Sequence, residues 1–273
     1  MDGSGVIIES GSNVTSVAVG DEVYFHTGPE VGVMAEYIAI HENKVAPKPQ
    51  GLTHIEAASL PVAGLTSLQA LLDHGKLRTW SLERKPRVLI LGGTSATGML
   101  GIQLAHAIGA EVVTTCSPRN FDWVKELGAD ETIDYHTQDI AKVLEGETID
   151  VIYDCIGGGD SWLAAQRILS TSGQYVTIVG DEADHHMTIT TLLTKGWQIS
   201  SRFIGYYLGS NPRYTLFLAA SGRKSFDELN TIIAKGQLKP IIDTVYPIEQ
   251  FAQAFSKSIS GRARGKLVLT FQD

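Results

Sequence analysis

Apolar residues change rhythm twice along this chain. Over 1–60 they come in short bursts broken by glycine and asparagine. That predicts brief β-strands joined by turns: GVIIE, the pair within VAVGDEVYF, and MAEYIAI, with GSNV between the first two. From about Pro61 the rhythm becomes strand, helix, strand, helix. The run RVLIL at 87–91 is continuously apolar, as a parallel strand buried on both faces must be. GMLGIQLAHAI at 98–108 follows with helical spacing, and Gly109 suits its C-terminal stop. The unit then recurs as EVVTTC with FDWVKELG, ETIDY with DIAKVLEG, IDVIYDC with SWLAAQRIL, and finally QYVTIVG. Strands alternating with helices at this spacing predict right-handed crossovers and an α/β fold built on a doubly wound parallel sheet. After WQISSRFI, a helical pair is expected in RYTLFLAAS and FDELNTIIAKG. A strand-like TVYPI, a helix FAQAFSKSI and a closing strand KLVLTF come next, and this tail is expected to return to the β-rich lobe begun at the N-terminus.

With 273 residues, of which 43% are hydrophobic, the chain can bury one large core or two smaller ones. A formal net charge of -8 and the lack of any basic run argue against nucleic acid as a partner, because phosphate neutralisation needs clustered Lys and Arg. Cys116 and Cys155 each end an apolar run, so neither a disulfide framework nor a four-cysteine zinc site can form, and both are expected to be reduced core thiols. No apolar stretch approaches the ~20 residues that cross a bilayer, so no membrane span is expected. The opening MDGSGVIIES is not signal-like. A cytoplasmic location is expected, with a mitochondrial one left open because a targeting peptide would lie upstream.

Chemistry concentrates in a glycine-containing turn, LGGTSATG at 91–98, between the first parallel strand and its helix. A dinucleotide pyrophosphate meets free amides and the positive end of a helix dipole at such a place. The spelling departs from G-x-G-x-x-G, with Ser95 and Ala96 where glycines are usual, so placement rather than spelling carries the reading. The second strand leads into TCSPRN at 115–120, which lacks the acid that reads a ribose 2′-hydroxyl and offers Ser117 and Arg119 instead. A hydroxyl beside a cation suits a 2′-phosphate, hence NADPH as the cofactor.

Further segments occur in consistent order: AASLPVAGLTSLQA at 57–70, LGAD at 127–130 leading into IDY at 133–135, DCIGG at 154–158, and GRARGK at 261–266. Together with the glycine turn, they make nearly the whole chain resemble the zinc-independent quinone oxidoreductases of the medium-chain dehydrogenase/reductase superfamily, most of all the reticulon-4-interacting-protein type. The resemblance implies a Rossmann domain over 64–203 and a GroES-like β-rich lobe over 1–63 and 204–273, with the active site in the cleft between them. Because MDGSG at 1–5 matches family sequence that normally follows an upstream segment, the lobe is expected to be incomplete. By the same resemblance, pyrophosphate contacts fall on Thr94, Ala96 and Thr97, and 2′-phosphate and adenosine contacts on Ser117 and Tyr135. Arg119 joins the latter on grounds of charge. The nicotinamide side involves Thr66, Cys155, Gly157 and Val179, and a C-terminal contact falls on Arg264, Gly265 and Lys266.

The zinc-dependent relatives place a histidine where Met1 stands and use an upstream cysteine, so no metal is expected. His185 and His186, in a polar run, read as exposed loop residues. The implied reaction is hydride transfer from NADPH to a quinone or an α,β-unsaturated carbonyl, of the quinone oxidoreductase or enoyl reductase type. The partner is then a small-molecule hydride acceptor, and a homodimer stays open. No catalytic residue is assigned: a proton donor on the upstream segment and water both remain open. The competing reading is a non-catalytic NADPH-binding sensor or interaction protein with a truncated catalytic lobe.

Overall fold

A computed structural model describes residues 1–28, 32–80, 83–180, 200–202, 204–207 and 212–271. They form two compact units, one of Met1–Leu68, Ser95–Leu100 and Ala219–Asp273, the other of Gln69–Thr94 and Gly101–Leu218. The loop reading of His185 and His186 lies outside the described residues.

The second unit is built on β4 (Arg87–Leu91), β5 (Glu111–Cys116), β6 (Glu131–Asp134), β7 (Ile149–Asp154), β8 (Leu169–Thr177) and β9 (Arg213–Leu216). All their pairings are parallel, in the order β6-β5-β4-β7-β8-β9. Counted from β4 this is 3-2-1-4-5-6, the doubly wound dinucleotide-binding order, and the direction of winding reverses between β4 and β7. Helices α3 (Ala96–Ala107), α4 (Phe121–Glu126), α5 (Ile140–Val143) and α6 (Gly159–Ile168) make the crossovers. Continuous apolarity in the central strands has the expected cause: every residue of β7 is buried, and so are the last four of β4. One core cluster joins Leu89, Val113, Ile133 and Ile152 to Trp162, Tyr175 and Tyr214. At the N-terminal ends of the strands, Arg87 is paired with Glu111, Glu131 and Glu147, and Arg84 grips the buried Asp150 through two nitrogens.

Two expectations about elements are corrected. The stretch 213–221 is not helical, since Arg213–Leu216 is the sixth strand. Tyr214 is 2% exposed and stacks on Tyr175 across the β8–β9 pair, with ring centroids 5.5 Å apart, so cross-strand packing decides the conformation of a stretch whose pattern is ambiguous in isolation. Near the N-terminus, neither 17–19 nor 34–40 is a strand. Met34 and Tyr37 are exposed: apolar residues that are not buried against a neighbour do not by themselves make a strand.

In the first unit, β1 (Asp2–Val6), β2 (Glu22–His26) and β3 (Val45–Pro47) form an antiparallel meander. Thr53 and Glu56 close a capping box on α1 (His54–Ala58). Helix α2 (Pro61–Leu68) packs its Gly64 against Leu229 of α7 (Arg223–Ala234). Tyr24 of β2 is buried edge-on to Phe226 and donates to Asn230 Oδ1 at 2.7 Å. The chain ends with β10 (Ile242–Pro247), α8 (Phe251–Ile259) and β11 (Lys266–Thr270), the two strands pairing parallel. No helix among the described residues is long and apolar enough to cross a membrane.

Candidate functional site

In a doubly wound sheet the ligand-binding crevice lies beyond the carboxyl ends of the strands at the winding reversal, here those of β4 and β7. The chain leaves β4 through Gly92 and Gly93, and β5 fixes both. Thr115 Oγ1 accepts from the Gly92 amide at 2.9 Å, and the Thr115 carbonyl accepts from the Gly93 amide at 3.0 Å. Only glycine fits at these positions. Gly92 has φ +80°, and a Cβ on Gly93 would stand 2.1 Å from Thr114 Oγ1.

Ser95 caps α3. Its Oγ accepts from the Gly98 amide at 3.0 Å and its carbonyl from the Met99 amide at 2.9 Å. Among the described residues nothing accepts from the amides of Thr94, Ser95, Ala96 or Thr97. Four successive donors at the N-terminus of a twelve-residue helix form an anion cradle, which fits a dinucleotide phosphate.

Beyond β5, Ser117 is half-buried and accepts from Asn120 Nδ2 at 3.3 Å, while Arg119 is exposed. The adjacent Cys116 is buried, and burial and then the nearby Asp134 push the pKa of its thiol up to about 11. Beyond β6, Tyr135 is exposed against His136. Bonds from the Thr137 hydroxyl and the His136 amide hold Asp134 below the usual carboxylate range.

Beyond β7, Asp154 is 1% exposed and bends the chain back. Its Oδ1 accepts from the amides of Ile156 at 3.0 Å and Gly157 at 2.8 Å, and its Oδ2 accepts from the Tyr175 hydroxyl at 2.7 Å. Burial, then the charge and hydrogen bond of Asp154, keep Tyr175 protonated well above its ordinary range. Beyond β8, Thr177 Oγ1 accepts from the amides of Val179 and Gly180.

Thr94, Ser117, Arg119, Tyr135, Cys155, Gly157 and Val179 are thus all at the carboxyl edge of one sheet, with Cys155 and Gly157 buried and Val179 exposed. Ala96 and Thr97 open α3 directly after the turn. Ala96 and Thr97, like Thr66, Arg264, Gly265 and Lys266, belong to the first unit. Thr66 is buried in α2, and the Lys266 ammonium is already paired with Asp2 at 3.1 Å. Asp243 accepts from Lys257, from Thr244 Oγ1 at 2.6 Å and from the Arg264 amide at 2.6 Å, which fixes the turn carrying Arg264 and Gly265.

Thr115 and Asp154 stand within the sequence motifs, but no role is read from sequence for these or for Thr114 and Thr177, which support the site. Their signal was available: Asp154 and Thr177 are the last residues of β7 and β8, and Thr114 and Thr115 stand just before the last residue of β5, places where burial of a polar group has to be matched by a bond.

Residues 127–269 match the family described as zinc-binding dehydrogenase, and this stretch holds a single cysteine, Cys155. The zebrafish mitochondrial NAD(P)H oxidoreductase RTN4IP1 is 34% identical over 280 aligned positions, covering 100% of this chain and 71% of the relative. The tomato 2-methylene-furan-3-one reductase is 32% identical, covering 98% of this chain and 62% of the relative. Among solved structures, the quinone oxidoreductase of Coxiella burnetii superposes with a TM-score of 0.82 at 30% identity, covering 99% of this chain and 78% of that one.

Proposed function

Because the chain belongs to the zinc-independent quinone oxidoreductases of the medium-chain dehydrogenase/reductase superfamily, we propose that it uses NADPH to reduce a small conjugated acceptor, a quinone or an α,β-unsaturated carbonyl. The observation that carries the cofactor reading is the anion cradle at Thr94–Thr97, opening at the winding reversal of a sheet in dinucleotide-binding order. Relatives named as an NAD(P)H oxidoreductase, a quinone oxidoreductase and a 2-methylene-furan-3-one reductase support the acceptor class.

In this reading Thr94, Ala96 and Thr97 hold the pyrophosphate through their amides, strengthened by the α3 dipole. Ser117 and Arg119, with no acid over 115–120, take the 2′-phosphate, and the exposed Tyr135 lies beside the adenosine. Cys155, Gly157 and Val179 border the nicotinamide. When bound, that ring supplies a hydride to an electron-poor carbon. The part played by this chain's residues is to orient the ring and keep water from it. Phosphate preference over hydroxyl favours NADPH over NADH.

The test is a paired measurement of binding and turnover. NADPH is expected to bind more tightly than NADH and to be oxidised on addition of a quinone or an enone. Equal affinity for the two cofactors would overturn the phosphate assignment. Tight NADPH binding without oxidation by either acceptor would favour the sensor reading.

A further inference from the structure

The loop 155–158 that joins β7 to α6 is held from three sides. The Cys155 amide donates to the Leu91 carbonyl at 3.2 Å and the Gly158 amide to the Gly180 carbonyl at 3.0 Å, while Asp154 takes the two amides between them. Gly157 and Gly158 have φ of +80° and +101°, and a Cβ on Gly157 would come within 2.5 Å of the Gly180 carbonyl oxygen. Four hydrogen bonds therefore hold the backbone in this form. That form lays Ile156, 52% exposed, across Gly92: a Cβ on Gly92 would meet Ile156 Cδ1 at 2.4 Å.

Asp154 is the only member of this arrangement that carries a charge. A buried carboxylate is expensive unless its oxygens are satisfied, and here three hydrogen bonds satisfy it. A neutral asparagine would keep one oxygen for the two amides but present an amino group to Tyr175, so the charge-assisted bond from that hydroxyl is lost and the loop is left anchored to an uncharged group. The hydroxyl comes from Tyr175, fixed by the stacked Tyr214 and the edge of Trp162, with the guanidinium of Arg202 4.5 Å from the Tyr214 ring centre and 4.8 Å from that of Trp162. One oxygen of Asp154 thus faces an immobilised aromatic group and the other sets the loop.

We infer that Asp154 is a positioning residue for the nicotinamide half of the cofactor, acting through the loop 155–158 and through Ile156 seated over Gly92. The inference rests on the proposed NADPH function. It predicts that disturbing Asp154 weakens contacts made by the nicotinamide end while leaving those of the adenosine end, beyond β5 and β6, intact.

The two ends can be separated with ligands. Calorimetry is run with NADPH and with adenosine 2′,5′-bisphosphate, which carries the adenosine and 2′-phosphate without the nicotinamide. Asp154→Asn is expected to weaken NADPH by about tenfold or more, the effect of losing one charge-assisted bond, with affinity for the bisphosphate changed less than about twofold. Tyr175→Phe removes only the hydroxyl and should act on NADPH alone, with a loss of about threefold; it carries the test if the asparagine variant does not fold. Equal losses for both ligands would mean general destabilisation, and no loss for either would mean the loop is set without Asp154; each outcome overturns the inference. A wild-type protein that binds the bisphosphate but holds NADPH no more tightly overturns it too, while leaving the adenosine assignment standing. Failure of the wild type to bind either ligand defeats the functional reading itself, and the inference with it.

Discussion

Arg119 and Asp243 show how differently two charged residues act. Arg119 is exposed and its charge is open to an anion. A charge-assisted bond to a 2′-phosphate contributes about 1.5 to 3 kcal/mol, so Arg119→Ala is expected to weaken NADPH roughly 10- to 100-fold. NADH affinity should barely change. Titration of both cofactors against the variant checks this, and parallel losses would remove Arg119 from the phosphate site. Asp243 works inward. Burial opposes its ionisation, yet bonds from Lys257, Thr244 and the Arg264 amide outweigh burial and hold its pKa at about 2, below the ordinary 3.8. A carboxylate depressed in the folded state stabilises fully above its ordinary pKa and loses that contribution as pH falls through the folded value. The acid-sensitive window therefore runs from about pH 4 down to about pH 2. Urea midpoints of wild type and Asp243→Asn should differ at pH 7 and converge towards pH 2. A constant difference across that range would show that Asp243 is not the titrating group.

Elements, more than single residues, shape the anion cradle. α3 starts where it does because Ser95 caps it, and the strand before it turns on two glycines that cannot be enlarged, Gly93 because of Thr114 on β5 and Gly92 because of Ile156 in the loop after β7. Ser95→Ala should lower stability by about 1 kcal/mol, whereas Ser95→Gly should cost only a few tenths. Thermal denaturation of the pair distinguishes a cap from a general loss of bulk, which would make glycine the worse substitute. Gly93→Ala should be far more damaging, since its Cβ would overlap Thr114 Oγ1 and the Thr114 hydroxyl is bonded to the Ile90 carbonyl at 2.8 Å. A soluble, NADPH-binding Gly93→Ala protein would contradict the described register of β4 and β5.

At the scale of the whole chain, cofactor binding is linked to folding. NADPH at about a hundred times its dissociation constant adds roughly 2.7 kcal/mol to stability. For a unit of this size that corresponds to a rise in melting temperature of roughly 5 to 10 °C. Differential scanning with NADPH and with NADH should give the larger shift for NADPH. No shift with either would count against the cradle as a dinucleotide site.

The alternation of short apolar runs with helical spacing determined the parallel sheet and its crossovers, because a strand buried on both faces tolerates almost no polar residue and a crossover helix needs a fixed apolar stripe. Turn chemistry was equally local: Gly92, Gly93 and the acid-free TCSPRN segment are legible as residues, since backbone freedom and charge belong to the side chain itself. Contacts made across long sequence separations were not legible. Arg213–Leu216 became a strand because Tyr175 lies beside Tyr214, whereas the N-terminal apolar bursts at 17–19 and 34–40 are irregular. Asp154 gave no sign in the sequence of which groups would satisfy it. Its hydroxyl donor is 21 positions away and its two amides are supplied by a glycine-dependent loop, so only the folded chain decides that this buried charge is stable and where it holds Ile156.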